Sequence, residues 1–418
     1  MEGEINIFEI PRLNIQWDWK EALRNPCGKA WISCTRINLP TVYGELIRAR
    51  NKEESVDNNT LSVEASEGFS VQNVSKTSLT LSFPEANCSS KFISPSTSFP
   101  KLHSKSVRCI DISPGGGLGV SSGDDSTLLV WETSTGVVRH NLQGHISDVN
   151  TCKFFPSGKV VLSGGADLRL KIWSAEDGSC PVTLKGHTGG VVDTAIVDRG
   201  RNILSCSRDG TVRLWDCGEA KCLAVVSSGD CPVNSCTLTQ LQGMENTPES
   251  DNQCSEREVG TEGKLLILAK EDGFLEGVDV RNKEKTKRKQ TKEMKQNEEK
   301  DVLHRQFEFL RYQVFQVKCS SAVNCCAFLS EYEAVGGTED GSLWIVDVRS
   351  PSFPVGVFRR SSSPILSLSI TGDHGFLASS RKRDCNTIYL PGNSDRKLDI
   401  TGGDIISCGD ITCEPLLI

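Results

Sequence analysis

Long apolar runs are missing from this 418-residue chain, and no stretch approaches the roughly 18 residues a membrane-spanning helix requires. A secretory leader is not expected, because Met1-Glu2-Gly3-Glu4 is acidic and has neither a basic region nor an apolar core behind it. Positive charge is not in excess: 47 basic residues face 54 acidic ones, a net charge of −7, which disfavours a general nucleic-acid binder. Paired Cys-x-x-Cys motifs are absent, so the 18 cysteines predict no zinc site. Cys109, Cys152, Cys206 and Cys325 fall at expected strand positions, where a free thiol behaves as a small apolar residue. They read as structural thiols of a reducing compartment, which places the chain in the cytoplasm.

What the chain does have is a repeated polar quartet. His103, Ser121, Asp125 and Trp131 recur as His145, Ser163, Asp167 and Trp173, then as His187, Ser205, Asp209 and Trp215, each offset by 42 residues. A period in the low forties, opened by Gly-His and closed by Trp-Asp, predicts an all-β WD40 propeller of four-stranded blades. In the third copy, 191–196 and 202–207 read as strands, Asp209-Gly210 as a tight hairpin turn, and 211–215 as a third strand that alternates polar with apolar. A fourth strand follows at 221–226.

A buried indole N–H, hydroxyl, imidazole and carboxylate each cost desolvation energy unless paired. Linked in the order Trp–Ser–His–Asp, they satisfy one another and tie the strands to the entering loop. Ser, His and Asp also compose a catalytic triad. Three equivalent copies in three blades argue for architecture instead, since nucleophilic catalysis needs one geometry with an oxyanion pocket. The chain therefore reads as a non-enzymatic binding protein, with no cofactor and no metal expected.

The repeat continues and decays. Glu271-Asp272-Gly273 through Val278-Asp279, and Glu339-Asp340-Gly341 through Val346-Asp347, resemble the turn and third strand with Val at the Trp position. Residues 322–328 echo 148–154 as a first strand. Blades are expected near 99–141, 142–183, 184–226, 227–281, 319–358 and 360–400, with insertions near 240–263 and 281–318. The sixth lacks a clean Asp-Gly turn and breaks at Arg381-Lys382-Arg383-Asp384-Cys385, so the last blade reads as degenerate or incomplete. N-terminal strands that help close the ring are an alternative. Residues 1–98 carry no repeat and read as a small accessory domain, with a short helix at 17–24, a loop at 51–59 and strands at 68–71 and 78–82, beside a propeller of 99–418. The basic run Lys283–Lys289 reads as a solvated insertion, with a nuclear import patch as the other reading.

Propellers bind partners where the loops before the first strand meet the turns between second and third strands. Repeat geometry places Arg108, Asp124, Asp148, Asn150, Arg208, Glu271, Asn324 and Glu339 there. An acidic-leaning rim of this kind suits a basic protein surface.

Beyond the generic repeat, several segments resemble the proteasomal ATPase-associated factor family. They include 65–69, 116–122, 154–158, 171–177, Asp193-Thr194-Ala195-Ile196-Val197-Asp198-Arg199-Gly200-Arg201-Asn202, and 255–261. The resemblance spans about 15–280 and 320–380, and the 281–318 insert and the tail after Ser380 depart from it. It implies seven blades and a monomeric, non-enzymatic chaperone that binds C-terminal domains of the ATPase subunits of the proteasome regulatory particle. Such a factor assists assembly of the base and restrains docking onto the proteolytic core. Two other readings compete. Val278-Asp279-Val280-Arg281 and Val346-Asp347-Val348-Arg349 resemble the Trp-Asp-x-Arg endings of substrate receptors of cullin-type ubiquitin ligases, although Val replaces Trp in both. The lysine-rich insert also suits an RNA-associated scaffold.

Overall fold

The computed structural model describes residues 7–16, 18–25, 28–48, 62–75, 77–94, 99, 102–241, 257–280, 313–359, 361–371, 375–380, 384–389 and 404–406. The expected loop at 51–59, most of both insertions, the basic run at 283–289 and the break at 381–383 lie outside them. The chain divides into two compact units. One comprises residues 1–101, 337–345 and 355–418, and the other 102–336 and 346–354. The expected boundary at 98/99 falls near Lys101, where the first segment of the former ends.

The unit of residues 102–336 and 346–354 contains four successive four-stranded antiparallel meanders. The first is built from Val107–Ile112, Leu118–Gly123, Leu128–Glu132 and Val138–Asn141. The second comprises Val149–Phe154, Val160–Gly165, Arg169–Ser174 and Val182–Lys185. The third comprises Val191–Val197, Asn202–Ser207, Thr211–Asp216 and Lys221–Ser228. The fourth comprises Val233–Gln240, Lys264–Lys270, Phe274–Asp279 and Gln313–Lys318. Its last strand lies inside the range 281–318 that reads as insertion in the sequence. That strand is separated from its partner by polar residues, so nothing local marks it as part of the same sheet.

These meanders stack face to face. Val120, Leu128 and Val130 of the first pack on Val149, Phe154, Val161 and Trp173 of the second. Leu162, Leu170 and Ile172 of the second pack on Val191, Ile203 and Trp215 of the third. Leu204, Val212 and Leu214 of the third pack on Val233, Leu266, Leu268 and Val278 of the fourth. The stacking follows from period-2 alternation with both faces covered, which is why second and third strands read as nearly continuous apolar runs. The first strands of successive sheets, through Val323–Phe328, are neighbours.

The other unit holds the N-terminal residues. Arg12–Ile15, Lys29–Thr35, Val42–Arg48 and Val63–Ala65 form one meander. Ser70–Gln72, Ser78–Phe83 and Cys88–Ile93 form a second, extended by Asp404–Ile406 parallel to Cys88–Ile93. Leu13, Ile32, Leu46, Leu79, Leu81, Phe83 and Phe92 share one core with Trp19 and Leu23 of a short helix, Trp19–Ala22. That core explains why one turn of helix persists where isolated helices of this length do not. Ile7–Glu9 pairs in parallel with Gly356–Arg359, which is antiparallel to Ser342–Asp347. Ile365–Thr371, Gly375–Ser380 and Asp384–Tyr389 form a three-stranded antiparallel sheet. The third strand of that sheet is therefore present, although no Asp-Gly turn announces it.

Candidate functional site

Each repeated quartet forms one hydrogen-bonded chain. In the third repeat the Trp215 indole N–H donates to Ser205 Oγ at 2.8 Å, and Ser205 Oγ lies 2.7 Å from His187 Nε2. His187 Nδ1 lies 2.9 Å from Asp209 Oδ2, which also accepts the Thr188 N–H at 2.8 Å. In the second repeat the Trp173–Ser163, Ser163–His145 and His145–Asp167 distances are 2.8, 2.7 and 2.9 Å. In the first, the corresponding distances between Trp131, Ser121, His103 and Asp125 are 3.1, 2.7 and 3.3 Å. An ionised carboxylate can only accept, so each imidazole carries its proton on Nδ1, and Nε2 accepts from the serine hydroxyl.

The electrostatics agree with that tautomer. Burial lowers the pKa of His145 and His187 and outweighs the opposing pull of Asp167 and Asp209, so both rings are neutral. Burial pushes the Asp209 carboxyl up, but hydrogen bonds from Thr211, Thr188 and His187 outweigh it and hold it well below the usual range. Asp125 behaves alike under Thr127, Ser104 and His103. Ser121, Ser163 and Ser205 are fully buried and committed at both ends, which removes them from any substrate. A Cβ at Gly123 would lie 2.5 Å from Asp125 Oδ1 and 2.7 Å from His103 Nδ1, so a side chain there would displace the His103–Asp125 pair as it now stands.

Trp and Ser of the quartet are lost together, while the turn aspartates Asp272 and Asp340 remain. Where Val278 replaces Trp in the fourth repeat, Leu268 replaces Ser, and both are buried. Where Val346 replaces Trp in the fifth, Gly336 replaces Ser. An indole N–H without its hydroxyl, or the reverse, would be left unsatisfied, whereas replacing both costs little.

The rim residues do not behave as one surface. Arg108, Asp124, Asp148 and Asn150 come together: Arg108 Nε donates to Asp124, Nη2 to Asp148 at 3.0 Å and Nη1 to Asn150 at 3.2 Å. Asn150 Nδ2 in turn donates to the Val191 carbonyl at 2.7 Å. Glu271 is engaged by Asn234 Nδ2 at 2.7 Å, and Asn234 also donates to the Val323 carbonyl at 3.0 Å. Arg208 is exposed, Asn324 is half-buried beside Val323, and the exposed Glu339 belongs to the other compact unit. In the Asp347-Val348-Arg349 segment, Arg349 folds back on Asp347 at 2.7 Å and over the Tyr332 ring.

One link between the sheets carries no motif. Asp193 accepts from Lys153 Nζ at 2.9 Å, from its neighbour Thr194 N–H at 2.7 Å, and from the Ser235 hydroxyl at 2.9 Å and the Cys236 N–H at 3.1 Å. It thereby joins the second, third and fourth sheets beside a cavity of about 340 Å³ lined by Cys109, Asp111, Cys152, Lys153 and Cys236. Burial alone would lower the Lys153 pKa, but Asp193 outweighs it and raises it. Alignment at the 42-residue interval would have shown Asp193 standing where the neighbours hold Thr151 and Ser235.

Sheets stacked in succession around neighbouring first strands, three of them pinned by the same buried chain, define a WD40-repeat β-propeller protein. The sequence model of the WD domain, G-beta repeat, matches residues 94–132, 136–174 and 178–216. The fold is similar to the solved structure of U3-55K (TM-score 0.57, 16% identity, 74% of this chain and 85% of that one). It is equally similar to the crystal structure of RRP9 WD40 repeats (TM-score 0.56, 16% identity, 74% and 84%). Proteasomal ATPase-associated factor 1 of Gallus gallus is 48% identical over 94% of this chain and 91% of its own length. Its Homo sapiens counterpart is 47% identical over the same shares. A probable counterpart in Dictyostelium discoideum is 35% identical over 90% of this chain and 84% of its own length. The chain belongs to the proteasomal ATPase-associated factor 1 family.

Proposed function

We propose that this chain is a non-enzymatic factor that binds ATPase subunits of the proteasome regulatory particle through their C-terminal domains. It assists assembly of the base and restrains association with the proteolytic core. The observation that carries the reading is 48% identity to a relative named for association with proteasomal ATPases, along 94% of the chain. The structure supports it physically. The repeated Ser, His and Asp side chains are spent on one another inside the sheets, and polar groups at the rim include Arg108, Asp124, Asp148, Asn150, Arg208 and Glu271. Carboxylates at a rim steer and orient a basic partner more than they supply raw affinity. Affinity purification of the tagged chain from the cytoplasm and the nucleus, with mass spectrometry of partners, tests the reading. Enrichment of regulatory-particle ATPases without the mature core is the expected result. A cullin-ligase adaptor in their place would overturn it.

A further inference from the structure

The second repeat departs from its neighbours at two adjoining positions on the partner-facing lip. After the loop histidine, the first and third repeats carry Ser104 and Thr188, and the second carries Ile146. Ile146 is 78% exposed, the most exposed large apolar side chain among the described residues. After the turn aspartate, the first and third repeats carry Ser126 and Gly210, and the second carries Leu168. Leu168 adopts a φ of 67°, a left-handed conformation that falls to Ser126 (φ 61°) in the first repeat and to Gly210, Gly273 and Gly341 in the third, fourth and fifth. For a bulky residue that conformation is strained, and the strain persists only where something else holds it.

Folding leaves Ile146 largely uncovered and Leu168 39% exposed. Neither belongs to a core cluster of its unit, and both are exposed. They are nonetheless placed together. His145 and Asp167, the residues before them, are 2.9 Å apart, and the Ile146 N–H donates to Asp167 Oδ2 at 3.2 Å. The Ala166 N–H donates to the Asp148 carbonyl at 2.8 Å, which ties the turn of Leu168 to the loop of Ile146. The same loop carries the Asp148 carboxylate, which shares the single Arg108 guanidinium with Asp124. Two carboxylates thus share one cation on the Ile146 side, while Arg169 follows Leu168 and bears with Lys171 on His145.

We propose that Ile146 and Leu168 are the apolar centre of a docking spot whose acidic edge is Asp124 and Asp148, built for a protein surface that presents an apolar side chain next to a lysine or arginine. This deepens the functional reading above and rests on it, with a proteasomal ATPase subunit as the occupant. Apolar anchors at the centre of an interface with charged groups around them are the arrangement in which few residues carry most of the binding energy. Isolated exposed apolar residues are ordinary. This pair stands out because it replaces two polar or glycine positions at once, and one replacement is made against the backbone preference.

The test uses the full chain with Ile146→Ser and Leu168→Gly, alone and together, each borrowing the residue of a sister repeat. Thermal denaturation is read beside calorimetric binding to recombinant proteasomal ATPase subunits, with light scattering of the free chain. The expected result is a melting temperature that is unchanged for I146S and raised for L168G, with ATPase binding weakened roughly ten-fold or more in the double variant. Wild-type and double variant binding an ATPase equally well would overturn this proposal and leave the functional reading standing. A wild-type chain that binds no ATPase would overturn that reading and this one with it. Self-association of the wild type that the double variant loses would make a second copy the occupant, and would overturn the assignment to an ATPase.

Discussion

Lys153, in the first strand of the second repeat, reaches across to Asp193, in the first strand of the third, with Nζ 2.9 Å from Oδ1. Its ammonium also donates to the Thr194 carbonyl, so the lysine is fastened to the neighbouring sheet at two points. Asp193 passes the connection on through Ser235 and Cys236 to the fourth repeat. One carboxylate thus links three sheets at their inner strands.

Replacing that carboxylate leaves Lys153, Ser235 and two backbone N–H groups short of their acceptor. Asp193→Ala is expected to cost about 3 kcal/mol of unfolding free energy, and Asp193→Asn less, because an amide oxygen still accepts. Urea denaturation of both variants checks this, and a loss in D193A within the error of the wild type would remove the link from the account.

The quartets give a second expectation. Ser205→Ala removes the hydroxyl that accepts from Trp215 and faces His187, and strands two buried polar groups for the loss of one oxygen. It should cost about 2 kcal/mol, and in a double-mutant cycle with His187→Ala the two losses should be strongly non-additive. Additive losses would mean that the residues do not act as one chain.

The buried imidazoles predict a pH dependence. The pKa values of His145 and His187 are lowered in the folded state by burial, so the unfolded chain binds more protons at acid pH. Stability from these groups is complete above the ordinary histidine value of 6.5 and is lost as pH falls through it toward the lower folded values. Urea midpoints measured from pH 7.5 down to 5 should fall, and the His145→Gln/His187→Gln variant should show a shallower slope over the same window. An identical slope in that variant would assign the dependence to other groups.

The first three repeats are legible because the members of a buried polar quartet cannot be replaced one at a time, so where the quartet is kept it recurs whole at a fixed interval and shows. The fourth and fifth faded because Leu268 with Val278, and Gly336 with Val346, are ordinary core residues that signal nothing. The strand Asp384–Tyr389 was missed because its hairpin lacks the Asp-Gly that marks the others, although its register with Gly375–Ser380 is regular. The expected strands at 68–71 and 78–82 are present as Ser70–Gln72 and Ser78–Phe83, but the first N-terminal meander hid for another reason. Lys29–Thr35 buries Ala30, Ile32, Ser33 and Cys34 and exposes Lys29 and Trp31, so its polarity pattern does not match its burial. At the candidate site, the grouping of Arg108, Asp124, Asp148 and Asn150 followed from placing equivalent positions side by side. Asp193, Ile146 and Leu168 did not emerge, because their significance lies in differing from sister repeats rather than in matching them.

The rim charges bear on the central claim. Arg108→Gln frees Asp124 and Asp148 from their shared cation, and since all three side chains are more than a third exposed, the loss of stability should be within about 1 kcal/mol. Binding of a basic partner should then tighten, and the gain should shrink as salt is raised. Calorimetry at two ionic strengths reads both effects.

The most direct measurement is equilibrium binding of recombinant proteasomal ATPase subunits to the full chain and to its Asp148→Lys/Glu271→Lys variant, with circular dichroism to confirm that both are folded. The account predicts a saturable complex with the wild type and affinity weaker by roughly ten-fold or more in the variant. A folded variant that binds as tightly as the wild type would contradict it.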